Sequence, residues 1–133
     1  MSTKIILDVN IWVSYFITGR FSELSAIILN KNIQVHTCKE MIDELQDVLS
    51  RKKFEHRLNL PVDFYVNLHK ELTLFSKIKI CFSGSPDRND DYLFDLAIQT
   101  ESKILVTGDK KLLNFETKEV EMISLSEFLE RYK

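Results

Sequence analysis

The sequence predicts an α/β fold built on a parallel sheet. Three observations lead there. Short apolar runs alternate along the chain with stretches of helical periodicity. The runs are continuously apolar rather than apolar-polar, as strands buried on both faces are. With only 3 Gly and 2 Pro, the chain has too few turn residues for a collagen-like or turn-rich all-β fold.

The elements follow in order. Lys4 to Leu7 (Lys-Ile-Ile-Leu) reads as a buried strand. Ile11 to Ile17 is apolar and aromatic and reads as a helix that Gly19 ends. Ser22 is a candidate cap for a helix over Glu23 to Leu29. Ile33 to His36 is a second strand. Lys39 to Ser50 is an amphipathic helix running into Arg51-Lys52-Lys53. Pro61 suits a first helical position, and Val62 to Phe75 continues it, with Phe64, Leu68, Leu72 and Phe75 on one core-facing stripe. Ile78 to Cys81 is a third strand, and Ser83-Gly84-Ser85-Pro86 a loop. Asp87 to Thr100 is a helix, Ile104 to Val106 a strand, Asp109 to Asn114 a short helix. Val120 to Ile123 is the last strand and Ser126 to Tyr132 the last helix.

Composition bounds the rest. At 133 residues, against about 150 per domain, residues 1–133 read as a single domain. The chain is 44% hydrophobic and 29% charged, which excludes a disordered tail. Net charge is −2, so there is no bulk basic field and a polyanion has to be met locally. Cys38 and Cys81 form neither a metal knuckle nor a disulfide framework, and the chain opens on Met-Ser-Thr-Lys rather than a leader. A reducing cytoplasm and no membrane contact are the expectation. No Gly-rich phosphate loop is present, which weighs against nucleotide-binding classes.

In parallel sheets ligands bind beyond the carboxyl ends of the strands. Acids gather there in sequence. Ile5-Ile6-Leu7 runs into Asp8, and Ile104-Leu105-Val106 runs through Thr107-Gly108 into Asp109. The third predicted strand leads to Asp87, Asp90 and Asp91. Asp8, Asp87 and Asp109 each also suit a helix N-cap; three at one sheet edge ask for more. On the amphipathic helix, Met41, Ile42, Leu45, Val48 and Leu49 form the apolar stripe, and Glu44 lies at its border. Asp90 shares a helical face with Leu93, Phe94 and Ala97, so it is the first choice for the inward acid of its cluster. Asp91 and Asp87 stand in reserve.

Asp8, Glu44, Asp90 and Asp109 in one cleft would repel one another and take up protons unless a cation compensated them. An all-oxygen ligand set without Cys or His selects a hard ion, Mg²⁺ or Mn²⁺. Such an ion activates water and cancels charge on a phosphodiester.

Four segments in order carry a resemblance: Leu7-Asp8-Val9-Asn10; Met41-Ile42-Asp43-Glu44-Leu45 with Val48-Leu49-Ser50-Arg51; Asp87-Arg88-Asn89-Asp90-Asp91-Tyr92-Leu93; and Leu105-Val106-Thr107-Gly108-Asp109-Lys110. Together they resemble a PIN domain, most closely the bacterial toxins of toxin–antitoxin systems. The resemblance implies a three-layer α/β/α sandwich and a metal-dependent ribonuclease. It implies Asp8, Glu44, Asp90 or its neighbour Asp91, and Asp109 as the acidic set that holds Mg²⁺ or Mn²⁺. Asn10 and Thr107 would support the site, with Asp87 close by. It also implies an antitoxin protein partner and a homodimer.

Arg51, Lys52, Lys53 and Arg57 are the densest basic stretch, and Lys110 and Lys111 adjoin Asp109. These residues could hold an RNA backbone, although cations also suit a helix C-terminus. Trp12, Tyr15 and Phe16 suit core or dimer packing better than base stacking. The scattered His36, His56 and His69 carry no metal spacing. The alternative reading is a catalytically silent PIN-fold module that binds RNA or a protein partner. A phospho-acceptor receiver would carry paired acids after the first strand and an aspartyl phosphatase Asp-x-Asp, where this chain has Asp8-Val9-Asn10.

Overall fold

The computed structural model describes residues 2–132. Apolar β-branched and leucine runs make the strands: β1 is Thr3–Leu7, β2 Ile33–Thr37, β3 Leu74–Phe75, β4 Ile104–Val106 and β5 Glu121–Ile123. All neighbours pair in parallel, in the order β3-β2-β1-β4-β5. Ile5 of the central β1 stands opposite Val35 on one side and Ile104 on the other. Ile5, Ile6 and Leu7 have no exposed surface, as a strand covered on both faces requires.

The helices are α1 (Val9–Ile17), α2 (Phe21–Asn30), α3 (Lys39–Leu49), α4 (Val62–Leu72), α5 (Asp91–Gln99), α6 (Lys110–Leu113) and α7 (Leu125–Tyr132). The chain steps outward from β1 to β2 to β3, with α1, α3 and α4 packed on one another. It then returns through α5, which packs across β1, β2 and β4, to the other side of β1. Parallel crossovers are right-handed as a rule, and winding outward from β1 in both directions then puts helices on both faces. The core joins Trp12, Met41, Leu45, Phe94 and Phe128 to the central strands. The sandwich predicted by resemblance is the observed architecture. No helix among the described residues is long and apolar enough to cross a membrane.

Several expected elements differ. The third strand is not Ile78 to Cys81 but the two-residue β3, where Leu74 and Phe75 pair with His36 and Thr37. The later segment is extended, yet its backbone bonds to helix side chains instead of a strand. Lys79 N–H donates to Gln99 Oε1 at 2.9 Å and Gln99 Nε2 donates to the Lys79 carbonyl at 2.7 Å. The N–H groups of Cys81 and Phe82 donate to Asp95 at 3.1 and 2.9 Å. Alternation cannot distinguish a ladder from this arrangement, because both leave the chain extended.

The helix expected over Val62 to Phe75 therefore stops at Leu72. Its buried side is Val66 and His69, while Phe64 and Phe75 are exposed. Ser22 lies inside α2 rather than capping it. Trp12, Tyr15 and Phe16 are buried in the core, so none of them offers a dimer surface or a stacking platform. Asp87 to Asp90 form a 3₁₀ turn before α5 instead of its first turn.

Candidate active site at the carboxyl edge

The strand order reverses between β1 and β4, where a parallel sheet opens a crevice at its carboxyl ends. Asp8 follows β1 and Thr107 follows β4. Register places them side by side: Leu7 is opposite Val106, and Asp8 N–H donates to the Val106 carbonyl at 2.9 Å. Asp8 occupies the N-cap position of α1, yet its carboxylate makes no capping bond there. Its Oδ2 instead accepts from the Thr107 hydroxyl at 2.7 Å. The same hydroxyl oxygen accepts the Asp109 N–H at 3.1 Å, joining the ends of β1 and β4. Asp8 is only 6% exposed, and burial holds its carboxyl above the usual range. The Thr107 bond and the N–H groups of Asn10 and Val9 oppose that rise.

Three further acids face the same crevice electrostatically. Asp90, at the start of α5, is pushed up to about 7, first by burial and then by the charges of Asp8, Asp87, Glu44 and Asp109. Glu44 on α3 is half-buried and also raised, by burial and then by Asp8, while Tyr92 and Arg51 lower it. Its Oε1 accepts the Tyr92 hydroxyl at 2.7 Å. Burial and the Glu44 charge hold Tyr92 protonated. Asp109 caps α6, with Oδ1 accepting the Lys111 N–H at 2.9 Å.

Of the remaining expected residues, Asp87 and Arg51 reach this centre through their charge. Asp87 is exposed and caps its own turn through the Asn89 N–H at 2.9 Å, and its charge reaches Asp90. Asp91 is tied to the loop, where its Oδ1 accepts the Ser85 N–H at 3.1 Å. Asn10 is exposed on the first turn of α1. Arg51 pairs with Asp47 at 3.5 Å on the surface, and its charge still reaches Glu44. Lys52 and Lys53 are exposed in a 3₁₀ turn, and Lys110 is exposed at the start of α6.

The donor set is carboxylate oxygen throughout, and mutual repulsion plus burial leaves it short of positive charge. Both properties fit a hard divalent cation. Among the described residues no three His, Cys, Asp or Glu side chains form a ready-made ligand group. Glu44 and Asp109 each commit one oxygen to a protein donor.

Two residues at or beside the site were missed in the sequence, Tyr92 and Asp95. Both stand within the run Tyr92-Leu93-Phe94-Asp95-Leu96-Ala97, which is buried throughout. A hydroxyl or a carboxylate inside an apolar run needs a partner, and that need was the available signal.

A family model described as PIN domain matches residues 4–111. Among solved structures, a chain of the crystal structure of VapBC2 from Rickettsia felis, bound to a DNA fragment from their promoter, is similar in fold. Its TM-score is 0.60 at 18% identity, over 92% of this chain and 98% of that one. No curated protein matches.

Proposed function

The chain belongs to the PIN domain family, and on that premise we propose that it is a metal-dependent endoribonuclease, the toxin component of a toxin–antitoxin pair. The observation that carries the reading is the field on Asp90. Four other acids, from four separate segments of the chain, all press on one half-buried carboxyl. A protein with no use for a cation would relieve that repulsion by exposing or replacing one acid.

In this reading Asp8, Glu44, Asp90 and Asp109 hold one or two Mg²⁺ or Mn²⁺ ions. When bound, the metal supplies an activated water and neutralises charge on the phosphodiester oxygens. The protein's part is orientation. Thr107 holds the Asp8 carboxylate against rotation, and its hydrogen bond favours the ionised form against the burial that raises it. Asp90 enters from α5 and Glu44 from α3, so the cleft is framed by three elements that the sheet fixes. Asn10 is exposed two residues past Asp8, where it would support the site. Arg51, Lys52, Lys53 and Lys110 supply the local positive charge that an RNA backbone needs beside an acidic centre. The antitoxin partner is supported by the shared fold with a chain of the Rickettsia felis VapBC2 complex. The cytoplasm is the compartment where RNA and antitoxin both meet such a chain.

The test is cleavage of a mixed single-stranded RNA with Mg²⁺, Mn²⁺ or EDTA, beside an Asp8→Asn variant. Asparagine still accepts the Thr107 hydroxyl, so the fold is expected to persist. Cleavage that needs metal and disappears in the variant supports the nuclease. Folded protein that cleaves nothing in any metal would sink it and favour the silent binding module.

A further inference from the structure

We propose that Tyr92 is the positioning residue of the acidic cleft. Its buried hydroxyl fixes one oxygen of the Glu44 carboxylate, which would leave the other to hold a divalent cation. The inference rests on the metal-dependent reading above.

Glu44 needs such a device more than the other acids. Asp8 follows the buried central strand and is braced by Thr107. Asp109 is braced by the Lys111 N–H. Glu44 projects from the border of the α3 apolar stripe on a longer, more flexible side chain. Left alone, it would swing its charge out to water, as long charged side chains at such borders do. The Tyr92 hydroxyl donates to Oε1 at 2.7 Å, and among the described residues no other side chain is seen to hydrogen-bond Glu44. Tyr92 is 8% exposed and belongs to the core cluster, so it has little freedom of its own.

The choice of donor is informative. A lysine or arginine there would also hold Glu44, but its charge would compete with the metal. A phenol stabilises the ionised carboxylate through hydrogen bonding and adds no positive charge. Its place in sequence matters too. Tyr92 is two residues past Asp90, so the start of α5 delivers one acid and the clamp on another. The relation between α3 and α5 is thereby set at the site itself.

The experiment measures Mn²⁺ binding by calorimetry and RNA cleavage for the wild type, Tyr92→Phe, Glu44→Ala and the double variant. Loss of an outer partner to a ligating carboxylate typically weakens metal affinity or activity by ~10–100-fold. Tyr92→Phe should bind Mn²⁺ at least about tenfold more weakly by that rule, with cleavage partly restored at saturating Mn²⁺. In the Glu44→Ala background, Tyr92→Phe should cost nothing further, because the two act as one unit. Unchanged affinity and cleavage in Tyr92→Phe would overturn the proposal, as would an equal further loss in the Glu44→Ala background. Should Tyr92→Phe lose cooperative unfolding, Glu44→Asp takes its place. The shorter carboxylate falls away from the hydroxyl, the same loss is expected, and undiminished Mn²⁺ affinity refutes the role. A wild type that neither binds Mn²⁺ nor cleaves RNA removes the nuclease reading and this inference together. An active wild type indifferent to Tyr92 removes this inference alone.

Discussion

Asp90→Asn should stabilise the metal-free protein while abolishing cleavage. Asp90 in the folded chain is raised from 3.8 to about 7, by burial first and then by its acidic neighbours. The sign follows directly. A raised carboxyl favours folding only while protonated, so its contribution is present below 3.8 and is lost as pH rises through about 7. Above that pH the ionised group opposes folding. At full weight the displacement corresponds to about 4 kcal/mol. The group is only half-buried, and solvent screening reduces this to about 1–2 kcal/mol. The positive N-terminal end of α5 favours the charge by roughly 0.3–1 kcal/mol in return. Asp90 makes no side-chain capping bond, so asparagine forfeits none. A net gain of about 1 kcal/mol raises the melting temperature by about 3–5 °C in a chain of this size. Thermal unfolding in EDTA at pH 8 reads it directly. The gain should fall to less than half at pH 5, where the folded carboxyl is protonated but the unfolded one is ionised, and vanish only below 3.8. It should shrink or reverse in Mn²⁺, which stabilises only the wild-type site. An unchanged or lower melting temperature in EDTA at pH 8, or a gain at pH 5 as large as at pH 8, would refute the repulsion argument.

Two further outcomes follow from groups outside the acidic centre. His69 is fully buried, with Nε2 bonded to the Thr37 hydroxyl at 2.8 Å, and burial lowers it from 6.5 to about 4. The unfolded chain therefore gains a proton that the folded chain refuses. The stabilisation is full above 6.5 and falls by about 3 kcal/mol as pH drops to about 4. Urea unfolding between pH 7.5 and 5 should show a shallower pH slope in His69→Leu than in the wild type, and equal slopes would contradict the assignment. Asp95→Ala removes the charged acceptor of the Cys81 and Phe82 N–H groups, a loss of about 1–3 kcal/mol in all because Cys81 is exposed to water. Its urea midpoint should fall and hydrogen exchange across residues 79–82 should accelerate, with Mn²⁺ affinity unchanged; affinity that falls in step would mean that this segment also shapes the cleft.

The parts of this fold written in local pattern were legible in the sequence. Ile5-Ile6-Leu7 and Ile104-Leu105-Val106 are strands because only a doubly covered strand buries such runs, and Asp8 and Thr107 follow them as parallel pairing requires. Glu44 stands half-buried on α3, as helical spacing along its apolar stripe implies, whereas Asp90 lies in the 3₁₀ turn before α5, outside the helical face assumed for it. What was not legible depended on partners distant in sequence. Ile78 to Cys81 looks like a strand until Asp95 and Gln99 take its hydrogen bonds. Phe75 looks like core until the helix stops at Leu72 and leaves it outside, and Phe64 sits on α4 away from its buried side of Val66 and His69. Tyr92 reads as one more aromatic core residue until its hydroxyl is found 48 positions away in sequence, on Glu44.

The sheet's two borders carry a last consequence. One outer strand is two residues long and the other three. An incoming extended peptide finds almost no row of unpaired N–H and C=O groups to zip against, so neither edge can template growth by a second chain. The molecule is thereby guarded against edge-to-edge aggregation, a hazard for any parallel sheet while it folds. Whatever protein binds it has to read side chains on its helices and loops, where specificity is written residue by residue rather than in repeating backbone.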